Sequence, residues 1–215
     1  MANYVVGISG GSGAPYTRRV IEGLVDAGHD ARVVITDAGR RVFEIELGIH
    51  LTGDPETDTR TLMERLDPGS GAGSLELFDQ RNIAATIASG SYVSAGMVVL
   101  PCSMGTLARI ANGVSSNLLE RAADVMLKER RKLILVPRET PLNLIHLRNM
   151  TAVTEAGAIV LPAMPGFYHR PENVQDIVDS VAGRVLETLG VEARFLRRWT
   201  GSARLESADL GLDDL

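Results

Sequence analysis

The sequence predicts one doubly wound α/β domain, a mostly parallel sheet of the flavodoxin or Rossmann type with helices on both faces. Three observations predict it. Five short segments are β-branched and apolar almost throughout, as strands covered on both faces should be. Helical stretches of 3.6-type spacing lie between them. The turn-forming and chemically capable residues collect just after the strands.

The first strand is read at residues 4–9 (YVVGIS), followed by a glycine-rich turn and a helix over 15–27. In that helix Tyr16, Val20, Leu24 and Ala27 share a face, and Gly28 ends it. The second strand is read at 31–36, the third at 96–100, the fourth at 132–136 and the fifth at 158–161. Further helices are expected at 118–128, with Asn117 as N-cap, at 142–156, and at 174–189, with Glu172 or Asn173 as N-cap. Residues 51–77 are polar and stay unassigned: GDPETDT reads as a loop or a helix start, DPGSGAGS as a turn. Residues 1–190 are read as the domain. Residues 191–215 are read as an extension whose acidic end, ESADLGLDDL, is expected to be mobile.

Composition narrows the function. A net charge of −5 and an aromatic content of 4% argue against nucleic-acid and anionic-membrane binding. No apolar run approaches the ~20 residues of a membrane span, and the N-terminus lacks a signal-peptide pattern. One cysteine, Cys102, cannot form an internal disulfide, so the expected compartment is the cytoplasm.

In open α/β sheets ligands bind outside the carboxyl ends of the strands. Those ends carry Gly10-Gly11-Ser12-Gly13-Ala14, then Thr36-Asp37, then Pro101-Cys102-Ser103-Met104-Gly105-Thr106. The last two carry Pro137-Arg138-Glu139-Thr140-Pro141 and Pro162 to Arg170. The glycine turn and the Ser103–Thr106 turn each offer N–H groups and hydroxyls at a helix start, which suits a phosphate-bearing ligand such as a nucleotide or flavin. A bare tight turn and a plain N-cap explain them as well. Arg138-Glu139, held between prolines, reads either as a surface ion pair or as a phosphate clamp beside a proton-handling group; its place after a buried strand favours the second. Arg121, Asp124 and Lys128 form one stripe, either salt-bridged and solvated or phosphate-binding. No metal-ligand spacing occurs, and Cys102 reads as a small buried residue.

Several motifs, in order, resemble the flavin prenyltransferases: GISGGSGA from Gly7, LPCS from Leu100, ERAADV from Glu120, LKERR from Leu127, VPRETP from Val136 and PGFYHRP from Pro165. The likeness runs from Met1 to Trp199. It implies transfer of a dimethylallyl unit from dimethylallyl monophosphate to N5 and C6 of reduced FMN, without a metal. The product would be the cofactor of a partner decarboxylase, and the subunits would form a dodecamer with sites at their boundaries.

Residue by residue, the resemblance implies FMN contacts at Gly10, Gly11, Ser12, Thr36, Ser103, Met104, Gly105, Thr106 and Arg138. It implies prenyl-phosphate contacts at Tyr168, Arg184, Arg121 and Lys128. Catalytic roles fall to Glu139, Ser12, Lys128 and Glu46, the last reaching in from a neighbouring subunit. Arg184 by itself reads as solvent-facing. Gly11 stands where the family more often has Ala, and Thr36 where it has Ser. Two alternatives share the glycine turn: an FMN-dependent cysteine decarboxylase and a non-catalytic flavin-binding protein. The first would carry a catalytic His and a Met-Asn pair absent from Pro137 to Asn143; the second would have no use for Lys128, Arg138, Glu139 and Arg184 together.

Overall fold

The structure, a computed structural model, describes residues 1–66, 71–196 and 198. The acidic end, and part of the turn expected at 67–74, lie outside the described residues.

Six strands form one parallel sheet: β1 (Asn3–Ile8), β2 (Asp30–Ile35), β3 (Leu75–Phe78), β4 (Gly96–Cys102), β5 (Leu133–Pro137) and β6 (Ile159–Val160), in the order β3-β2-β1-β4-β5-β6. Seven helices connect and cover it: α1 (Ala14–Asp26), α2 (Asp37–Leu47), α3 (Pro55–Arg65), α4 (Met104–Ala111), α5 (Leu118–Lys128), α6 (Leu144–Glu155) and α7 (Val174–Leu189). A 3-10 turn spans Thr86–Ala88.

The predicted class and all five expected strands are present. Two elements went unread. β3 is an edge strand of LELF in which only Leu75 and Leu77 are buried. α2 buries only Gly39 and Phe43.

Strand side chains alternate between two cores, following the period of 2. Val6, Ile8, Val33, Ile35, Val98, Leu100, Ile134 and Val136 face α1, α2, α3 and α7. Val5, Val34, Met97, Val99, Leu133 and Leu135 face α4, α5 and α6. Both faces of the central strands are therefore dry, which is why they read as continuous apolar runs. Past Gly190 the chain still packs on the first core through Val191 and Ala193.

The sheet sets the position of the site. Strand order reverses between β1 and β4, so the loops leaving them diverge onto opposite faces and open a crevice at the carboxyl edge. The β1–α1 and β4–α4 loops border it.

Candidate active site

Ser9, at the end of β1, ties the two borders of the crevice together. It is 1% exposed. Its hydroxyl donates to Pro101 O at 2.9 Å and accepts from Ser103 N at 2.8 Å. The Leu100–Pro101 and Thr140–Pro141 peptides are cis.

The glycine turn fits tightly against these neighbours. A Cβ on Gly10 would stand 2.7 Å from Ala38 Cβ, and one on Gly11 would stand 3.3 Å from Pro101 Cβ. Gly13 has φ of 134°, a conformation L side chains rarely adopt. Ser12 is exposed at the mouth, and its hydroxyl makes no hydrogen bond to the described residues.

Glu46 sits on α2, where Oε2 accepts from this chain's own Gly13 N at 2.9 Å and Ala14 N at 2.8 Å. The carboxylate takes the first free N–H groups of α1, the position otherwise suited to a phosphate. Since Pro15 has no N–H, the helix start is already satisfied, and the remaining polar groups of this turn are those of Gly10, Gly11 and Ser12.

Thr36 is the N-cap of α2, accepting from Gly39 N at 3.1 Å. Ser103 is the N-cap of α4, accepting from Thr106 N at 3.3 Å. The plain-cap reading of Ser103 therefore holds, Thr36 is a cap as well, and both hydroxyls lie at the carboxyl edge. Met104 and Thr106 are buried, while Gly105 is exposed.

Arg138 and Glu139 follow β5 and are both exposed. They do not pair: Arg138 makes no ion pair or hydrogen bond among the described residues, and Glu139 Oε1 accepts the Thr140 amide at 3.1 Å. Arg138 instead reaches electrostatically toward Tyr16. Burial holds the Tyr16 phenol above its usual range, the Glu46 carboxylate raises it further, and Arg138 pulls it down. Tyr16 thus lies between the glycine turn and Arg138. It read as an apolar helix position, and only its place three residues past Gly13 marked it otherwise. Beside Arg138 and Glu139 lies a cavity of about 250 Å³, lined also by Leu142, Met150, Ala163 and Met164. Cys102 is buried, and burial pushes its thiol up to about 12. It is no thiolate nucleophile.

The other candidate residues do not gather at this crevice within one chain. Arg121 pairs with Asp124 at 2.7 Å, the salt-bridged reading of the stripe. Lys128, at the end of α5 near the start of β5, pairs with Glu129 at the opposite edge of the sheet. Arg184 is exposed on α7 and donates to Glu187 at 2.9 Å. Tyr168 is half-exposed, its ring edge-on to His169. Among the described residues no group of His, Cys, Asp and Glu could hold a metal ion, and no helix is long and apolar enough to cross a membrane.

The crevice fits FMN on its own features. Two glycines allow backbone approach, hydroxyls come from both borders, and a cation without a protein partner stands on the β5 side.

Residues 2–186 match the model of the Flavoprotein family. The flavin prenyltransferase UbiX of Halalkalibacterium halodurans is 47% identical over 196 residues, 91% of this chain and 92% of its own length. The chain belongs to the flavin prenyltransferase family. Solved structures of the family and its near relatives share its backbone. A UbiX (PadA1) in complex with FMN and dimethylallyl pyrophosphate superposes with a TM-score of 0.82 at 35% identity, covering 94% of this chain and 98% of the other. A dodecameric FMN-dependent UbiX-like decarboxylase from Escherichia coli O157:H7 gives 0.78 at 39% identity, covering 93% and 100%. A Cβ added at Gly11 would stand 3.3 Å from Pro101 Cβ, so a side chain there would require Pro101 to give by a few tenths of an ångström.

Proposed function

We propose that this enzyme transfers the dimethylallyl group of dimethylallyl monophosphate to N5 and C6 of reduced FMN, giving the prenylated cofactor of a separate decarboxylase. The observation that carries the reading is the unpaired Arg138, beside Glu139 and across the crevice from Ser12. Both side chains are exposed at the carboxyl edge and neither holds the other among the described residues, so the two groups stay separately available to a ligand.

FMN is held by Gly10, Gly11, Ser12, Thr36, Ser103, Met104, Gly105, Thr106 and Arg138. When bound and reduced it would supply the electron-rich N5 and C6 for the two ends of the allyl unit, one bond replacing the carbon–oxygen bond to phosphate and the other using the carbon–carbon π bond, with one proton gained by the former alkene and one lost from C6. The carbon–oxygen bond to phosphate breaks with its electron pair leaving on phosphate, so cations are needed there. Arg121, Lys128 and Arg184 serve that role, with the Tyr168 hydroxyl as a neutral hydrogen-bond donor beside them, in a homododecamer whose subunit boundaries bring the cations to the crevice. Ser12 and Glu46 flank the glycine turn, and Glu139 takes up a proton released as the new ring closes. Burial of the site at the subunit boundaries keeps water from the allylic cation.

The test is Glu139→Gln. It should keep FMN affinity within about twofold while prenyl transfer falls by two or more orders of magnitude, as for loss of a general base. Unchanged turnover would remove Glu139 from the chemistry. Loss of FMN binding together with turnover would make it a flavin contact instead.

A further inference from the structure

Glu120 is a carboxylate with no exposed side-chain surface in the first turn of α5, and none of the roles above falls to it. Burying a charge is costly unless it is fully bonded. Glu120 is bonded on both oxygens: Oε1 accepts from Arg109 Nε at 2.5 Å and Oε2 from Ser116 N at 2.8 Å. Its own amide bonds the Asn117 cap at 3.0 Å. The carboxylate therefore cannot rotate away, and Arg109 on α4 is held by it.

The other end of Arg109 lies against the flavin turn. Nη2 donates to Thr106 Oγ1 at 3.3 Å, and Nη1 lies 3.5 Å from where a Cβ of Gly105 would be. A guanidinium only donates, so Arg109 occupies an acceptor lone pair of Thr106. Ser103 Oγ accepts the Thr106 amide at 3.3 Å and donates its own proton to Thr106 Oγ1 at 3.1 Å. Thr106 Oγ1 therefore accepts from both Ser103 and Arg109, and its own proton has no acceptor within the turn. Without Arg109, Thr106 would be free to turn its hydroxyl back onto a helix carbonyl, as threonines in a first turn do.

We propose that Glu120 is a positioning residue for the flavin site: through Arg109 it holds the Ser103–Thr106 turn so that one hydroxyl proton is presented to an acceptor oxygen of the flavin. This rests on the functional reading above. The pair is close to neutral, so its contribution is orientation and not charge.

FMN and riboflavin would each be titrated by fluorescence into the full-length protein and into Glu120→Gln, Arg109→Lys, Thr106→Val and the double variant Glu120→Gln/Thr106→Val. One oriented hydrogen bond predicts that each single variant weakens FMN about tenfold. Lysine keeps the charge but cannot bridge Glu120 and Thr106 at once, so Arg109→Lys tests the relay even where Glu120→Gln folds poorly. The double variant should bind within about twofold of Thr106→Val alone, because the relay ends at that hydroxyl. Parallel losses with riboflavin would place the acceptor on the ring, and losses confined to FMN would place it on the phosphate. Multiplying losses in the double variant, or unchanged affinity in both single relay variants, would overturn the proposal while flavin binding stood. A parent protein that bound no flavin would overturn the functional reading and this one together.

Discussion

Ser9→Ala is the most informative single change, because one buried hydroxyl holds both borders of the crevice. Pro101 O loses the 2.9 Å bond from Ser9 Oγ but keeps the Ser9 amide at 3.2 Å, so its loss is about 1 kcal/mol. Ser103 N loses its 2.8 Å acceptor and is left unpaired, which adds roughly 1–3 kcal/mol. The sum is about 3 kcal/mol, or roughly 6–12 °C in Tm for a domain of this size. Urea unfolding gives the free energy, and FMN titration of the same sample reads the loosened Ser103 turn as weaker binding. Ser12→Ala is the control: that exposed hydroxyl has no partner among the described residues, so stability should stay within about 0.5 kcal/mol. A Ser9→Ala protein less than about 1 kcal/mol weaker, with FMN affinity unchanged, would refute the claim that Ser9 fastens the β1 and β4 loops.

Gly13→Ala should cost about 2 kcal/mol by urea unfolding, since its φ of 134° strains any L side chain, whereas Gly11→Ala should cost less than about 1 kcal/mol. Cys102 carries a pH prediction. Its folded thiol, near 12, keeps its proton while the unfolded thiol, near 9.0, releases it, so the contribution is complete below pH 9 and is lost as pH rises toward 12. By pH 10 the parent should lose about 1.4 kcal/mol more than Cys102→Ala, measured as the difference in their pH-dependent unfolding free energies. Arg184→Ala should raise the prenyl-phosphate concentration needed for half-maximal rate while leaving FMN affinity nearly intact; equal losses in both would mean a folding defect.

The sheet was legible because its central strands are dry on both faces, so their apolar runs need no tertiary information. β3 was not, since an edge strand of four residues with Glu76 facing outward carries too little pattern. α2 was missed for a related reason: its inner face is Phe43 with half-buried Val42 and Leu47, amid charges. Missing α2 left Glu46 to the resemblance alone, because its partners are backbone groups 33 and 32 residues earlier. The carboxyl-edge loops were legible as a site because parallel topology sends them to one side. Ser9 read as the last residue of a strand, and Tyr16 as part of an apolar stripe. Glu120 and Arg109 are eleven residues apart on different helices, a distance no local periodicity connects. Lys128 is the converse case: its LKERR motif is plain in the sequence, yet within one subunit it pairs with Glu129 at the opposite edge of the sheet.

The most direct measurement mixes the protein anaerobically with reduced FMN and dimethylallyl monophosphate, then reads the flavin's mass. A gain of one dimethylallyl unit, absent without protein, is the predicted result. Bound FMN of unchanged mass, with the prenyl donor intact, would contradict prenyl transfer at this crevice and leave a flavin-binding protein of the same fold.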